Sequence, residues 1–376
     1  MRKPIYLDYH ATTPCDPRVV EAMLPYLTEH FANPSSPHRM GRRVAQAVET
    51  AREQVAQLIG AEPEEIIFTS GATEGNNLAI LGVARAYHGN RRKIVCSAIE
   101  HKSVLMPVQQ LEREGYEPHL LPVDSLGRVC LDVAETLIDD QTLLVSVQIA
   151  NQEIGTIQPI RLLAEIARRV GALLHCDAAQ AVGKIPLNVR ELGVDFLSFS
   201  GHKMYGPKGI GALYRRRGGI SLAPLWYGGG QEGGLRSGTH NTPAIIGLGV
   251  ACVISQQEMQ AEAARLQLLR DQFEQRLMRA IPDLRRNGDI LNRLPHNSSL
   301  TFPSCDAEML LARLPQLALS TTSACSTGAI EPSHVLLAIG LSHEEAYRTL
   351  RIGLGRFNTE QEVDAACEAL ICHWSE

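Results

Sequence analysis

Between residues 60 and 215, short apolar runs alternate with stretches whose apolar residues recur at helical spacing. The runs are Ile66-Ile67-Phe68, Lys93-Ile94-Val95-Cys96, Leu143-Leu144-Val145-Ser146-Val147, Ala172-Leu173-Leu174-His175-Cys176, Phe196-Leu197-Ser198-Phe199 and Gly211-Ala212-Leu213-Tyr214. Each is too short for a buried helix and is bounded by Gly, Asp, Asn or Pro, so each predicts a buried β-strand. Residues 162–170 carry their apolar side chains on one helical face and stop at Gly171, which tolerates the left-handed backbone of a helix end. Strand and helix in alternation predict an α/β domain with a mainly parallel sheet. Ligands of such sheets bind beyond the carboxyl ends of the strands. A helical pattern then runs from Thr242-Pro243, read as N-cap and first turn, to about Ile281. It leads into a smaller C-terminal domain that begins near Pro282 and includes a strand, Ser298-Ser299-Leu300-Thr301-Phe302.

Composition narrows the classes without naming one. A chain of 376 residues can bury one large core and a second, smaller one. Hydrophobic content of 44% and charged content of 20% describe an ordinary globular protein. A net charge of -5 gives no electrostatic reason to expect nucleic acid. The basic runs Arg91-Arg92-Lys93 and Arg215-Arg216-Arg217 lack interleaved aromatics and read as solvated strand ends. The first eight residues hold no apolar segment of signal-peptide type, and no apolar run is long enough to span a membrane. Nine scattered cysteines without a C-x-x-C pair argue against a disulfide framework and a structural zinc, and fit a cytoplasmic location.

Six segments carry candidate chemistry. In residues 200–209, Ser-Gly-His-Lys-Met-Tyr-Gly-Pro-Lys-Gly, Lys203 stands between an apolar run and a glycine-rich turn. An amine there suits an imine with an aldehyde cofactor, while Ser200 and His202 can hold a phosphate; a solvated turn lysine is the plainer reading. Residues 69–77 follow a strand, and their small side chains, with Ala72 and Thr73, let backbone N–H groups at a helix start meet an anion. The helix is expected from about Leu78, and an ordinary strand-to-helix turn is the alternative. Asp177 lies at the exit of a strand and can pair with a protonated pyridine nitrogen or cap a helix. A metal site from His175, Cys176 and Asp177 fails because adjacent strand residues face opposite ways. His101 follows a strand too, and can stack on a planar ring and move protons or simply be a bonded loop histidine. Cys325 sits among small and hydroxylated residues, an exposed, mobile loop suited to a nucleophile that leaves the pocket; Cys96, Cys130, Cys176 and Cys252 read as packing. Arg351 and Arg356 share a glycine-containing, strand-like run, and parity allows at most one into a site.

Taken in order with Tyr6-Leu7-Asp8-Tyr9-His10-Ala11-Thr12-Thr13-Pro14, residues 33–38, residues 149–155 and Leu235-Arg236-Ser237-Gly238-Thr239, these segments resemble the group I (NifS/IscS-like) cysteine desulfurases over essentially the whole chain. The resemblance implies a fold type I pyridoxal-phosphate transferase, with a large domain built on a mainly parallel seven-stranded sheet and a smaller α+β domain. It implies boundaries at residues 14–255 for the large domain, and at 1–13 with 256–376 for the small one, which carries the Cys325 loop at about 320–332. Pyridoxal 5'-phosphate is the implied cofactor, tethered by Lys203, its phosphate held by Ala72, Thr73, Ser200 and His202, with Thr239 from the partner of a homodimer. Asp177 is implied at the pyridine nitrogen, Gln180 at the ring hydroxyl and His101 over the ring. Asn151 is implied beside cofactor and substrate. Arg351, helped by Asn151 and Asn33, is implied at the carboxylate of L-cysteine. Cys325 would take the sulfur as a persulfide, release L-alanine and pass the sulfur to an acceptor or iron–sulfur scaffold protein. Longer relatives extend beyond the position of Glu376 with a scaffold-docking tail, so the acceptor stays open. So do an aminotransferase or selenocysteine lyase of the same fold, and a non-catalytic sulfur carrier. No nucleic acid, membrane or metal partner is expected.

Overall fold

A computed structural model describes residues 3–218, 221–321, 324–325 and 330–374. Seven strands form the main sheet: β1 (Ile66–Thr69), β2 (Lys93–Ser97), β3 (Glu117–Leu121), β4 (Thr142–Ser146), β5 (Leu173–Asp177), β6 (Phe196–Ser200) and β7 (Gly211–Arg215). Their order is β1-β7-β6-β5-β4-β2-β3. Only β7 runs against its neighbours β1 and β6; the remaining pairings are parallel. The predicted α/β class is therefore the observed one, with every residue of β1, β4 and β6 buried, as expected for a sheet covered on both faces.

The expected strands are all present, and β3 is an addition. Its sequence, Glu-Pro-His-Leu-Leu, has no apolar run because it lies at the sheet edge with only Leu121 buried. An edge strand also tolerates Pro118, whose nitrogen donates nothing. The helix after β1 begins at Ala72 rather than near Leu78, because the small residues of the turn themselves form its first turn. The helix Ile160–Val170 ends on Gly171 at φ 70°, as its pattern predicts.

Backbone elements meet at the head of β1 and β6. Gly71 takes φ 153°, ψ -179°, a region open to glycine alone, and turns the chain from β1 into the helix Ala72–Ala86. A Cβ on neighbouring Gly211 would lie 2.3 Å from the Phe199 carbonyl oxygen and 2.7 Å from the Gly71 Cα. Glycine at both positions is what lets this helix start against the sheet.

The long helix Thr242–Ala280 is capped by the Asn241 side chain, which accepts from the Ala244 N–H; Thr242 is the first helical residue, not the cap. At ~1.5 Å per residue this helix is nearly 60 Å long. Its first third packs into the core under the main sheet through Ile245, Leu248 and Cys252. Its last third packs, through Leu266, Phe273 and Leu277, into another core with Leu300, Leu350 and Ile352. That core lies on an antiparallel sheet ordered Ser320–Thr321, Thr349–Gly353, Asn297–Thr301, Arg285–Arg286. The N-terminus joins it: Leu7 is buried there, and Ile5–Tyr6 pairs with Leu317–Ala318. Returning toward the main sheet, Thr13 donates through N and Oγ1 to the His202 carbonyl at 2.9 and 3.0 Å.

Gly211→Ala forces a methyl group into backbone atoms that have no rotamer with which to yield. It is expected to lower stability by roughly 2–3 kcal/mol, read as an earlier urea midpoint at unchanged slope; an unchanged midpoint shows that the contact is relaxed cheaply.

Candidate active site

Beyond the carboxyl ends of β1, β5 and β6 opens a cavity of about 760 Å³. Ala72, Thr73, His101, Asp177, Gln180, Ser200, His202, Lys203 and Arg351 all line it, although they come from five separate segments. Asn151 does not. Its amide is fully buried and occupied, donating to the Ile99 carbonyl at 3.1 Å and accepting from the N–H groups of Glu153 and Ile154. So engaged, its oxygen and one of its two amide hydrogens shape the local backbone. Asn33 is exposed and accepts from Ser35 N at 2.9 Å, outside this cavity. Thr239 is exposed as well and does not line it. Arg356 lies past the end of Thr349–Gly353 and binds Asp16 and Glu262, so Arg351 is the one of the pair that enters the site.

Asp177 is the last residue of β5, and its carboxylate is held by two donors. Ala179 N gives to Oδ1 at 2.9 Å, and Asn76 Nδ2 gives to Oδ2 at 2.7 Å. No helix follows, so capping is not its role. The other two candidate metal ligands diverge from it: Cys176 is in the core, and His175 bonds Ser146 and Ser198. Asn76 also gives to Ser103 Oγ at 2.8 Å, and Ser103 reaches His101 Nδ1 at 2.8 Å through Oγ and 3.1 Å through N. Because the Ser103 N–H can only donate, Nδ1 of His101 accepts, and the neutral ring carries its proton on Nε2. Burial holds this imidazole below its usual range, against the pull of Asp177. Asn76 and Ser103 were not foreseen as site residues. The visible signal was one polar side chain, Asn76, on a helical stripe it shares with Ala79, Ile80 and Val83.

Lys203 follows β6 in a short turn, Gly201–Lys203. Its ammonium donates to the carbonyls of His10 and Ala11, the latter at 2.8 Å. Burial, with Arg351 nearby, brings the amine down to about 8. His202 bonds Thr12 Oγ1 at 3.0 Å, and burial brings it down to about 4, so its ring is neutral near pH 7. Across the cavity Arg351 Nη2 meets Asp8 at 2.7 Å, while its buried Nε has no partner among the described residues. Glu153, also lining the cavity, is pushed up to about 7 by burial. Glu100, fully buried, is pushed well above the carboxylate range for the same reason.

The backbone of Cys325 lies in a two-residue strand, Ala324–Cys325, paired with Ile330–Glu331; its side chain and residues 322–323 and 326–329 lie outside the described part. The loop at 320–332 thus holds paired strands at its described ends.

The cavity fits pyridoxal phosphate on its own features. Gly71 has no side chain where a Cβ would stand 3.3 Å from Ser200 Oγ, and helix N–H groups and hydroxyls converge on that corner. A buried carboxylate for a ring nitrogen, a lysine amine at the middle and a guanidinium with a free nitrogen at the far wall complete the donor set.

The model of the aminotransferase class-V family matches residues 5–366. The chain is 48% identical over 371 residues to the cysteine desulfurase IscS of Rickettsia typhi, covering 98% of this chain and 90% of that one. It superposes on a solved NifS-like protein with a TM-score of 0.93 at 38% identity, covering 99% of each chain. A structure of SspA in complex with cysteine matches with a TM-score of 0.83 at 39% identity, over 94% of this chain and 99% of that one. A match of this extent, on a sheet of this order with a lysine at its head, places the chain in the class-V aminotransferase family.

Proposed function

We propose that this protein is a cysteine desulfurase that takes sulfur from L-cysteine onto Cys325 and releases L-alanine. The convergence of Lys203, Asp177, His101 and Arg351 on one cavity carries the reading, together with relatives named for that activity. Bound pyridoxal 5'-phosphate supplies an electron sink for the substrate Cα.

The chain's own residues do the rest. Lys203 tethers the cofactor, and an amine brought down to about 8 is partly unprotonated near neutrality, as a nucleophile must be. Ala72, Thr73, Ser200 and His202 hold the phosphate. Asp177, fixed by Asn76 and Ala179, keeps a proton on the pyridine nitrogen, and Gln180 serves the ring hydroxyl. His101 would lie beside the cofactor, where its Nε2 can carry protons. Arg351 binds the substrate carboxylate through the guanidinium nitrogens it does not spend on Asp8. The Cys325 thiolate then attacks the substrate Sγ: an S–S bond forms, the C–S bond breaks, and the electron pair left on carbon is protonated to the methyl of alanine. The sulfur leaves for an acceptor or iron–sulfur scaffold protein.

The working unit is a homodimer, in which Thr239 of one subunit completes the phosphate site of the other. Thr239 is exposed on a stretch tied down by Glu232, through Arg52 and His240, and by Arg236 on Glu74. Leu24, Leu27, Phe31, Trp226 and Tyr227 are exposed apolar side chains that such an interface would cover. Residues 14–255 form the large domain, and 1–13 with 256–376 the small one. No helix among the described residues is long and apolar enough to cross a membrane, and we place the protein in the cytoplasm.

Cys325→Ala is expected to keep cofactor absorbance and lose more than about 99% of sulfide release from L-cysteine under reducing conditions. Normal turnover in that variant excludes the sulfur-transfer reading and favours an aminotransferase or a selenocysteine lyase. Lys203→Ala is expected to abolish alanine formation, measured by chromatography; near-normal alanine rules out the tether. In the cofactor-free protein, labelling of Lys203 by a small amine-reactive reagent should rise about tenfold from pH 6 to 7 and level above about 8. A rate still climbing to pH 10, followed by mass spectrometry, shows an ordinary exposed amine.

A further inference from the structure

The imidazole of His10 is fully buried beside Gln180, stacked on the His296 ring with centroids 4.4 Å apart. Two side-chain amides flank it. Gln180 Oε1 lies 3.0 Å from His10 Nδ1, and Asn297 Nδ2 lies 3.1 Å from His10 Nε2. Each amide also meets a backbone carbonyl: Gln180 Nε2 donates to the His10 oxygen at 3.1 Å, and Asn297 Nδ2 to the Glu153 oxygen at 3.1 Å. A carbonyl accepts and never donates, so turning either amide over would set oxygen against oxygen. Asn297 must therefore give a hydrogen to Nε2. Nε2 then bears no proton, and the single proton of the neutral ring sits on Nδ1 and goes to Gln180 Oε1.

The surroundings agree with a neutral ring. Burial, with the cations Arg351, Lys203 and Lys184, brings His10 down to about 3, and burial holds the stacked His296 neutral too. Its other neighbours, Gln180 and Asn297, do not titrate. The consequence falls on Gln180. Its oxygen is committed to His10 Nδ1 and one N–H to the His10 carbonyl, which leaves the second N–H for the cavity that Gln180 lines.

We propose that His10 is a positioning residue that locks the Gln180 amide so that an N–H, never its oxygen, faces the ring oxygen of the cofactor. The inference rests on the desulfurase reading, which puts that oxygen beside Gln180. A donor there favours the ring oxygen as an anion and so lowers the pH at which the bound cofactor's visible absorbance changes.

The test follows that absorbance as a function of pH in purified protein loaded with pyridoxal phosphate. His10→Phe keeps a flat ring against His296 but removes both nitrogens; its midpoint should rise by about one pH unit, with cofactor dissociation several-fold faster. His10→Asn can place an amide N–H where Nδ1 stood and should restore the wild-type midpoint. Equal midpoints in wild type and His10→Phe overturn the inference while leaving the desulfurase reading intact. Wild-type protein that takes up no absorbing cofactor overturns the reading beneath it. Independently of any variant's folding, nitrogen NMR of the cofactor-free wild type should show His10 as a neutral ring protonated at Nδ1. An Nε2-protonated or doubly protonated His10, assigned by its loss in His10→Asn, overturns the proposal.

Discussion

One buried carboxylate organises the site. Asp177 ends a strand inside the protein, where an ionised group is costly unless donors surround it. Its two donors, the Ala179 N–H and the Asn76 amide, fix its rotamer and leave it facing the cavity. From Asn76 the same chain of hydrogen bonds passes through Ser103 to His101, so the orientation of the imidazole is set by what holds the carboxylate. A half-satisfied polar network in a buried place is worse than none. Here every link from Asp177 to His101 is made, although the buried Asn76 oxygen has no partner among the described residues.

Opposing that anion is a cluster of held-back cations. Burial brings Lys203 down to about 8 and His202 down to about 4, so near neutrality the imidazole adds no charge while the amine stays mostly protonated yet able to lose its proton. Arg351 meets Asp8 at 2.7 Å with only one of its nitrogens. An arginine that is half paired has a planar donor set already oriented, so binding a carboxylate costs little additional side-chain entropy. The segment bearing Asp8 and His10 joins both halves of the molecule. Leu7 sits in the C-terminal core, and Thr13 bonds the turn that bears Lys203. Movement between the two cores would therefore act directly on Asp8, His10 and the lysine.

Much of this was legible in the chain. Alternation of apolar runs with helical spacing marked six of the seven strands, and the residues that follow them supplied Thr73, His101, Asp177 and Lys203. The reason is simple: in a parallel sheet the strand exits all point to one side, so residues placed there must meet. What escaped were partners without a pattern of their own. The edge strand Glu117–Leu121 is half exposed and shows no apolar run. Asn76 and Ser103 look like ordinary residues of a helix start, and nothing in their spacing joins them to Asp177. Asn151 stands in a matched segment but not on the cavity wall: its oxygen accepts within its own turn and one N–H goes to the Ile99 carbonyl.

Local order along the chain was enough to determine the class of sheet, the place of its site and the residue types that carry reactive groups. These follow from periodicity and from the direction of strands, which are properties of short stretches. Tertiary structure alone decided which hydrogens point where. The Nδ1 proton of His10 and the split allegiance of Arg351 depend on atoms from segments more than a hundred residues away. No sequence pattern encodes such contacts, because a hydrogen bond is decided by the distance and direction between two atoms after the chain has folded.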